Sequence, residues 1–212
     1  MIKILAIDPA ASSGFAVAEI DGDNCVITEY GFIDVDTASL YVGDWCLDLE
    51  RRIQALYDRV KPDEIAVEDY FFGQKFSSGA NVNPAYRTVI HMFARRLGIH
   101  YEILNISNWK VFAAGRSTPT KEQKLKYGKV PSKKIMIIEA LWKRWKIRFP
   151  NHSLSENTGK PVMFRYDVAD AVAQAMYAAY LRYNCKNFTS TVSVPDDVVF
   201  KKLSKKNFIY ES

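Results

Sequence analysis

A mixed α/β sheet with helices on its faces is predicted by three features of the sequence. Strand-like runs separated by short turns open the chain, one amphipathic helical run follows them, and short apolar runs then alternate with helical ones. In order, residues 2–8 and 14–20 read as strands on either side of Pro9-Ala10-Ala11-Ser12-Ser13. Asp21-Gly22-Asp23-Asn24 turns the chain into a third strand near 25–34, so the three form an antiparallel meander. Leu40, Val42, Leu47, Leu49, Ile53, Leu56 and Val60 recur at roughly helical spacing and stop before Pro62, which predicts a helix over 40–60.

Glu64 to Glu68 has the apolar centre of a buried strand, and the run from Asp69 to Pro84 after it is a long loop rich in aromatics and turn formers. Loops of that length in a compact domain are often functional. A helix over about 85–97, a strand at 101–106 and a short helix at 107–114 come next. Gly115 to Pro131 reads as a basic loop, and Ser132 is placed to cap a helix running to about Trp145. Residues 147–163 read as irregular, and Arg165 to Tyr183 as an Ala-rich helix. Residues 1–183 are thus expected to form one domain and 184–212 a basic C-terminal extension. No internal repeat is visible. The element order is compatible with a ribonuclease H-like fold.

The chain carries a net charge of +5, with 48% apolar and 25% charged residues. The charge is unevenly placed. Residues 1–70 hold 15 Asp and Glu against 5 Lys and Arg, whereas residues 109–150 hold 12 Lys and Arg against only Glu122 and Glu139. A basic stretch suits a polyanion, and clustered acids suit the cations that act on one. Cys25, Cys46 and Cys185 form no zinc-type pattern, and no apolar run approaches the roughly 20 residues that cross a bilayer. A reduced, cytosolic protein without membrane contact is expected.

Four acids carry the candidate chemistry. Asp8 closes the first strand, Glu68 closes Ile65-Ala66-Val67, and Asp167 and Asp170 lie three residues apart on the last helix and so share one face. Strand ends and a helix face are rigid, so carboxylates there can hold divalent cations in fixed geometry. Cleavage of a phosphodiester by a two-metal route needs two hard cations about 3.5–4 Å apart. Asp167 and Asp170 are flanked by Val168, Ala169, Ala171, Val172 and Ala175, an apolar setting in which unpaired acids are costly. Two like charges roughly 4 Å apart repel by about 4 kcal/mol at an effective dielectric near 20, so bound metal is expected to stabilise the fold. Taken singly, an Asp after a strand also reads as a turn former and an acid pair as a solvated helix face.

Three segments, Ile7-Asp8-Pro-Ala-Ala-Ser-Ser-Gly14-Phe-Ala16, Ala66-Val-Glu68-Asp-Tyr-Phe71 and Asp167-Val-Ala-Asp170-Ala-Val-Ala-Gln-Ala175, resemble the motifs of RuvC-like Holliday-junction resolvases. The resemblance spans roughly residues 1–183, and Ala10, where that family commonly carries Gly, points to a divergent, phage-type member. It implies a ribonuclease H-like fold, a homodimer, and paired symmetric nicks in four-way DNA junctions with two Mg²⁺ or Mn²⁺ ions per active site. It also implies that Asp8, Glu68, Asp167 and Asp170 are the catalytic, metal-binding acids.

Phe71 falls where the family places an aromatic that stacks on a base, and Tyr70 and Phe72 beside it can share that role or plug the core. Lys110, Lys133 and Lys134 match regions where the resemblance places lysines near the scissile phosphate or backbone. Lys121, Lys124, Lys126 and Lys129 crowd the preceding loop and read as phosphate contacts or as a solvated face. The helix at 85–97 is a candidate for part of the dimer interface.

His91, His100 and His152 lack metal spacing, and no Walker pattern or Ser/His/Asp constellation accompanies Ser12 and Ser13. Trp109, Trp142 and Trp145 read as packing residues. The competing functions are another ribonuclease H-like nuclease acting on RNA:DNA hybrids, flaps or single strands, an actin-like ATP-binding domain, and a non-catalytic DNA-binding protein. The actin-like reading needs further glycine-rich nucleotide loops, which the sequence does not show.

Overall fold

In β1 (Ile2–Asp8) every second side chain faces the same way, and both faces are apolar, as a strand covered by helices on both sides requires. It lies between β2 (Ser12–Asp21), antiparallel to it, and β4 (Glu64–Glu68), parallel to it. The computed structural model describes residues 1–10, 12–69, 82–127, 131–150, 152–154, 161–163 and 167–194, with the side chains at 12, 127, 131, 134, 152–154 and 161–163 outside that description.

β3 (Asn24–Asp34) pairs antiparallel with β2, completing the expected meander, and β5 (His100–Leu104) pairs parallel with β4. The sheet order is β5-β4-β1-β2-β3-β8, in which β8 (Asn187–Ser190) runs parallel to β3. The sheet therefore takes its outermost strand from beyond residue 183.

Side-chain parity divides the core in two. Leu5, Ile7, Val17, Ile65 and Val67 face α1 (Val42–Val60) and α2 (Val82–Leu97), meeting Leu49, Ile53, Tyr86 and Ile90. Ile4, Ala6, Ala16, Ala18 and Ala66 face the other way, toward α3 (Ile106–Ala114), α5 (Pro131–Trp145) and α6 (Asp167–Tyr183). Helices on both faces of a mixed sheet match the ribonuclease H-like expectation. No described helix is long and apolar enough to cross a membrane.

α6 crosses β1, β2 and β3 at close range because its inner face is built of Ala169, Ala173 and other small residues, all buried. At its first turn the approach is closest: a Cβ on Gly14 would stand 2.1 Å from the Asp167 carbonyl oxygen. Only glycine fits at that point of β2.

Helix ends follow local chemistry. α1 closes with Lys61 in the left-handed region, φ 51°, its N–H donating to the Tyr57 carbonyl just before Pro62. The Asn105 side chain caps α3 by accepting from the Ser107 and Asn108 backbone N–H groups, and Gly115, φ 69°, ends that helix.

Five local expectations need correction. The basic segment 115–131 is not all loop, since it contains α4 (Lys121–Tyr127). Thr120 Oγ1 accepts from Gln123 N at 3.1 Å and Gln123 Oε1 accepts from Thr120 N at 3.0 Å, a reciprocal cap that offsets the lysine repulsion. Segment 147–163 contains a two-stranded antiparallel pair, β6 (His152–Leu154) and β7 (Pro161–Met163). Ser132 lies within the first turn of α5 instead of preceding it, because the helix already begins at Pro131. α2 begins at Val82, three residues before the expected start, and β5 stops at Leu104, where Asn105 turns into α3.

Candidate metal centre

The in-register pair Ile7↔Val67 leaves Asp8 and Glu68 as the next residues of two parallel neighbouring strands. Ala6 and Ala66 face α6, so Asp8 and Glu68, two residues further along, point to that same face. Both carboxylates therefore emerge at the same end of the sheet, beneath the start of α6.

Asp167 and Asp170 occupy the first turn of α6, where the helix dipole favours negative charge. Asp8, Asp167 and Asp170 each offer a carboxylate oxygen within 4.8 Å of the other two. Asp8 is 7% exposed and Asp170 4%, so these acids are buried where repulsion is poorly screened. An all-carboxylate, oxygen-only donor set on rigid elements fits Mg²⁺ or Mn²⁺ and not a soft metal.

Glu68 stands outside that trio but is tied to it. Gln174 Nε2 donates to Asp8 Oδ1 at 3.1 Å and to Glu68 Oε2 at 3.4 Å, and Trp109 Nε1 donates to the same Glu68 oxygen at 3.0 Å. Trp109 and Gln174 are fully buried. Neither was expected among the site residues. Trp109 does pack, as its apolar setting suggests, but its one N–H is also spent on a site carboxylate. The signal that points to Gln174 is its spacing: it lies four residues after Asp170 and seven after Asp167, and so shares the helix face of the two acids.

The lysines are distributed over three elements. Lys110 lies on α3 with Nζ 4.8 Å from the centroid of the Trp109 ring, one residue from the side chain that holds Glu68. Lys121, Lys124 and Lys126 are exposed on α4, which is joined to α5 by the hydrogen bond from Gln123 Nε2 to Glu139 Oε2 at 2.6 Å. Lys133 is exposed at the start of α5. Tyr70, Phe71, Phe72 and Lys129, and the side chain of Lys134, lie outside the described residues.

Asp69, next to Glu68, pairs with Arg87 of α2 at 2.8 Å and so ties the end of β4 to that helix. His91 stacks on Tyr101 with centroids 4.5 Å apart, and His100 pairs with Glu102; neither belongs to the metal-ligating trio. Cys25, Cys46 and Cys185 are free thiols; burial, with the neighbouring Cys185 sulfur, pushes the Cys25 thiol up to about 12 and keeps it unreactive.

Comparison with known proteins adds three findings. The family model for the crossover junction endodeoxyribonuclease RuvC matches residues 4–127, more than half of the chain. RuvC of Helicobacter pylori (strain Shi470) is 34% identical over 73 residues, which cover 34% of this chain and 45% of that protein, and RuvC of Akkermansia muciniphila is 28% identical over 123 residues, 58% of this chain and 72% of that protein. The match thus spans about half the length of the Helicobacter relatives. Among solved structures, Thermus thermophilus RuvC in complex with a Holliday junction substrate superposes with a TM-score of 0.62 at 15% identity, over 87% of this chain and 96% of that one. The yeast mitochondrial Holliday junction resolvase gives 0.54 at 15% identity, over 85% and 81%. The family match ends before Asp167 and Asp170, so for these two the geometry of the site is independent support.

Proposed function

The chain belongs to the RuvC family of crossover junction endodeoxyribonucleases, and on that premise we propose that it is a metal-dependent, structure-selective endonuclease that resolves four-way DNA junctions by paired symmetric nicks. The observation that carries the proposal is the convergence of Asp8, Asp167 and Asp170 within 4.8 Å, with Glu68 attached through Gln174. Solvation of a helix face does not bring together acids 159 and 162 residues apart in sequence, two of them, Asp8 and Asp170, buried.

In this reading Asp8, Glu68, Asp167 and Asp170 hold two Mg²⁺ or Mn²⁺ ions. When bound, such ions make water a nucleophile at neutral pH and neutralise charge developing on the phosphate and leaving oxygen. The chain's own part is to hold the four carboxylates in place before substrate arrives, on two strand ends and one helix turn, so that little reorganisation is needed during cleavage. The products would be a 5′-phosphate and a 3′-hydroxyl.

Lys110, Lys121, Lys124, Lys126, Lys129, Lys133 and Lys134 would contact the phosphate backbone, giving salt-dependent binding. Tyr70, Phe71 and Phe72 would stack on bases at the junction point. A homodimer presents two such sites to two symmetric strands, from which paired incision follows without a second chemistry. The junction-bound Thermus relative, which shares the fold, supports branched DNA as the partner. Cytosolic DNA is the proposed setting.

A cleavage assay separates this function from its neighbours. Wild type in Mg²⁺ or Mn²⁺ is expected to nick a synthetic four-way junction in symmetric pairs, leaving linear duplex and RNA:DNA hybrid intact, and Asp8→Asn is expected to bind the junction without nicking it. Preferential cutting of the hybrid would make the protein a different ribonuclease H-like nuclease.

A further inference from the structure

We propose that Gln174 is a positioning residue that spaces and orients the two strand-end carboxylates, Asp8 and Glu68, for the cations they hold. The inference rests on the reading of the four acids as metal ligands and adds to it a residue that would not itself touch metal or DNA. Gln174 sits one turn beyond Asp170 on α6, fully buried, with its amide nitrogen between Asp8 Oδ1 at 3.1 Å and Glu68 Oε2 at 3.4 Å.

The direction of the amide is fixed by chemistry, because ionised carboxylates only accept hydrogen bonds and the NH₂ group alone can serve both. Each amide hydrogen then has its own acid. Trp109 Nε1 adds a second donor to Glu68 Oε2 at 3.0 Å, so two N–H groups from different helices converge on one oxygen and set the plane of that carboxylate.

The choice of an amide is itself informative. A Lys or Arg at position 174 would also bridge the two acids, but its charge would compete with the incoming cations. An apolar residue would leave two neighbouring carboxylates without this donor. A neutral donor with two hydrogens holds the acids together while their negative charge stays available to metal. The arrangement carries a cost: Gln174 Oε1 is buried and has no hydrogen-bond partner among the described residues, which an ordinary core residue would avoid. The amide is therefore explained by what its nitrogen does.

The test is Mn²⁺ binding to the full chain without DNA, by titration calorimetry, for wild type, Gln174→Leu and Gln174→Met. Both variants keep the side-chain bulk and lose the donor. Mn²⁺ affinity is expected to fall about tenfold to a hundredfold. Junction binding in the absence of metal should stay within twofold, and the cleavage rate at saturating junction should fall while KM holds. A merely structural role would move the melting temperature and leave Mn²⁺ affinity alone. Unchanged affinity in either folded variant overturns the proposal, as does equal loss of metal and junction binding. Should neither variant fold, the wild-type Gln174 side-chain NH₂ resonances are followed during Mg²⁺ titration: a shift saturating with metal supports the proposal, and no shift overturns it. Wild type that binds no Mn²⁺ would instead remove the four-acid reading underneath it.

Discussion

Gly14 of β2 lies directly against the backbone of Asp167, with 2.1 Å between the Asp167 carbonyl oxygen and the position a Cβ would take. It is also the in-register partner of Asp8 on β1. One glycine thus sets the distance between the strand that carries the first acid and the helix that carries the last two. Gly14→Ala must push α6 away from the sheet. Overpacking of this kind costs about 1–3 kcal/mol, and more where the clash is with backbone. Urea unfolding is expected to show that loss together with weaker Mn²⁺ binding; full stability and full metal affinity in Gly14→Ala would show that the helix does not sit where described.

Divalent metal should stabilise the fold, since a bound cation offsets the repulsion among the clustered carboxylates. At a free Mn²⁺ concentration about a hundred times Kd the gain is about 2.7 kcal/mol, read as a higher melting temperature. In Asp170→Asn the metal-dependent increment should shrink, while the metal-free protein should melt no lower than wild type because one repelling charge has gone.

The lysines of α4 are expected to act on affinity for DNA and not on the chemistry. Replacing Lys121, Lys124 and Lys126 by Ala should reduce the slope of log K against log salt by about one per lost phosphate contact. Metal affinity and melting temperature should be nearly unchanged, given that all three side chains are exposed. An unaltered salt slope would assign this run to a solvated face.

α4 should depend on its cap. Thr120→Ala removes the acceptor for Gln123 N and should cost about 1 kcal/mol of local helix stability. The measurement is amide exchange over residues 121–127, expected to speed up there while exchange in β1 and β4 holds steady.

Acid stability should depend on a carboxylate remote from the site. Burial by itself would push the Asp48 carboxyl up, but the Asp36 backbone N–H and the guanidinium groups of Arg52 and Arg51 outweigh it and hold the group at about 2. The folded value lies below the ordinary one of 3.8, so the stabilisation is fully present above about pH 4 and is lost as pH falls toward 2. Wild type should lose stability over that window more steeply than Asp48→Asn, in denaturant melts at fixed pH values.

Strand and helix signals that rest on periodicity were legible in the sequence. The meander, Glu64–Glu68 and the acid-bearing helix stand where hydrophobic period and turn residues placed them, because both faces of the sheet are buried and the pattern is strong. The convergence of Asp8 with Asp167 and Asp170 was legible through motif resemblance more than through pattern, since nothing local links positions so distant. α4 was obscured by its lysines, although Thr120-Lys-Glu-Gln123 carries a capping box. β8 and the pair β6 and β7 are three or four residues long and owe their strand character to tertiary pairing. Spacing puts Gln174 on the helix face of Asp167 and Asp170, but its contacts with Asp8 and Glu68 come only from folding, since nothing local links it to either strand end.

Anomalous scattering from crystals grown with millimolar Mn²⁺ tests the metal centre most directly. The expected map has manganese bound by oxygens of Asp8, Asp167 and Asp170, with Glu68 at the second ion. Junction cleavage by the same preparation with no manganese density among those carboxylates would contradict it.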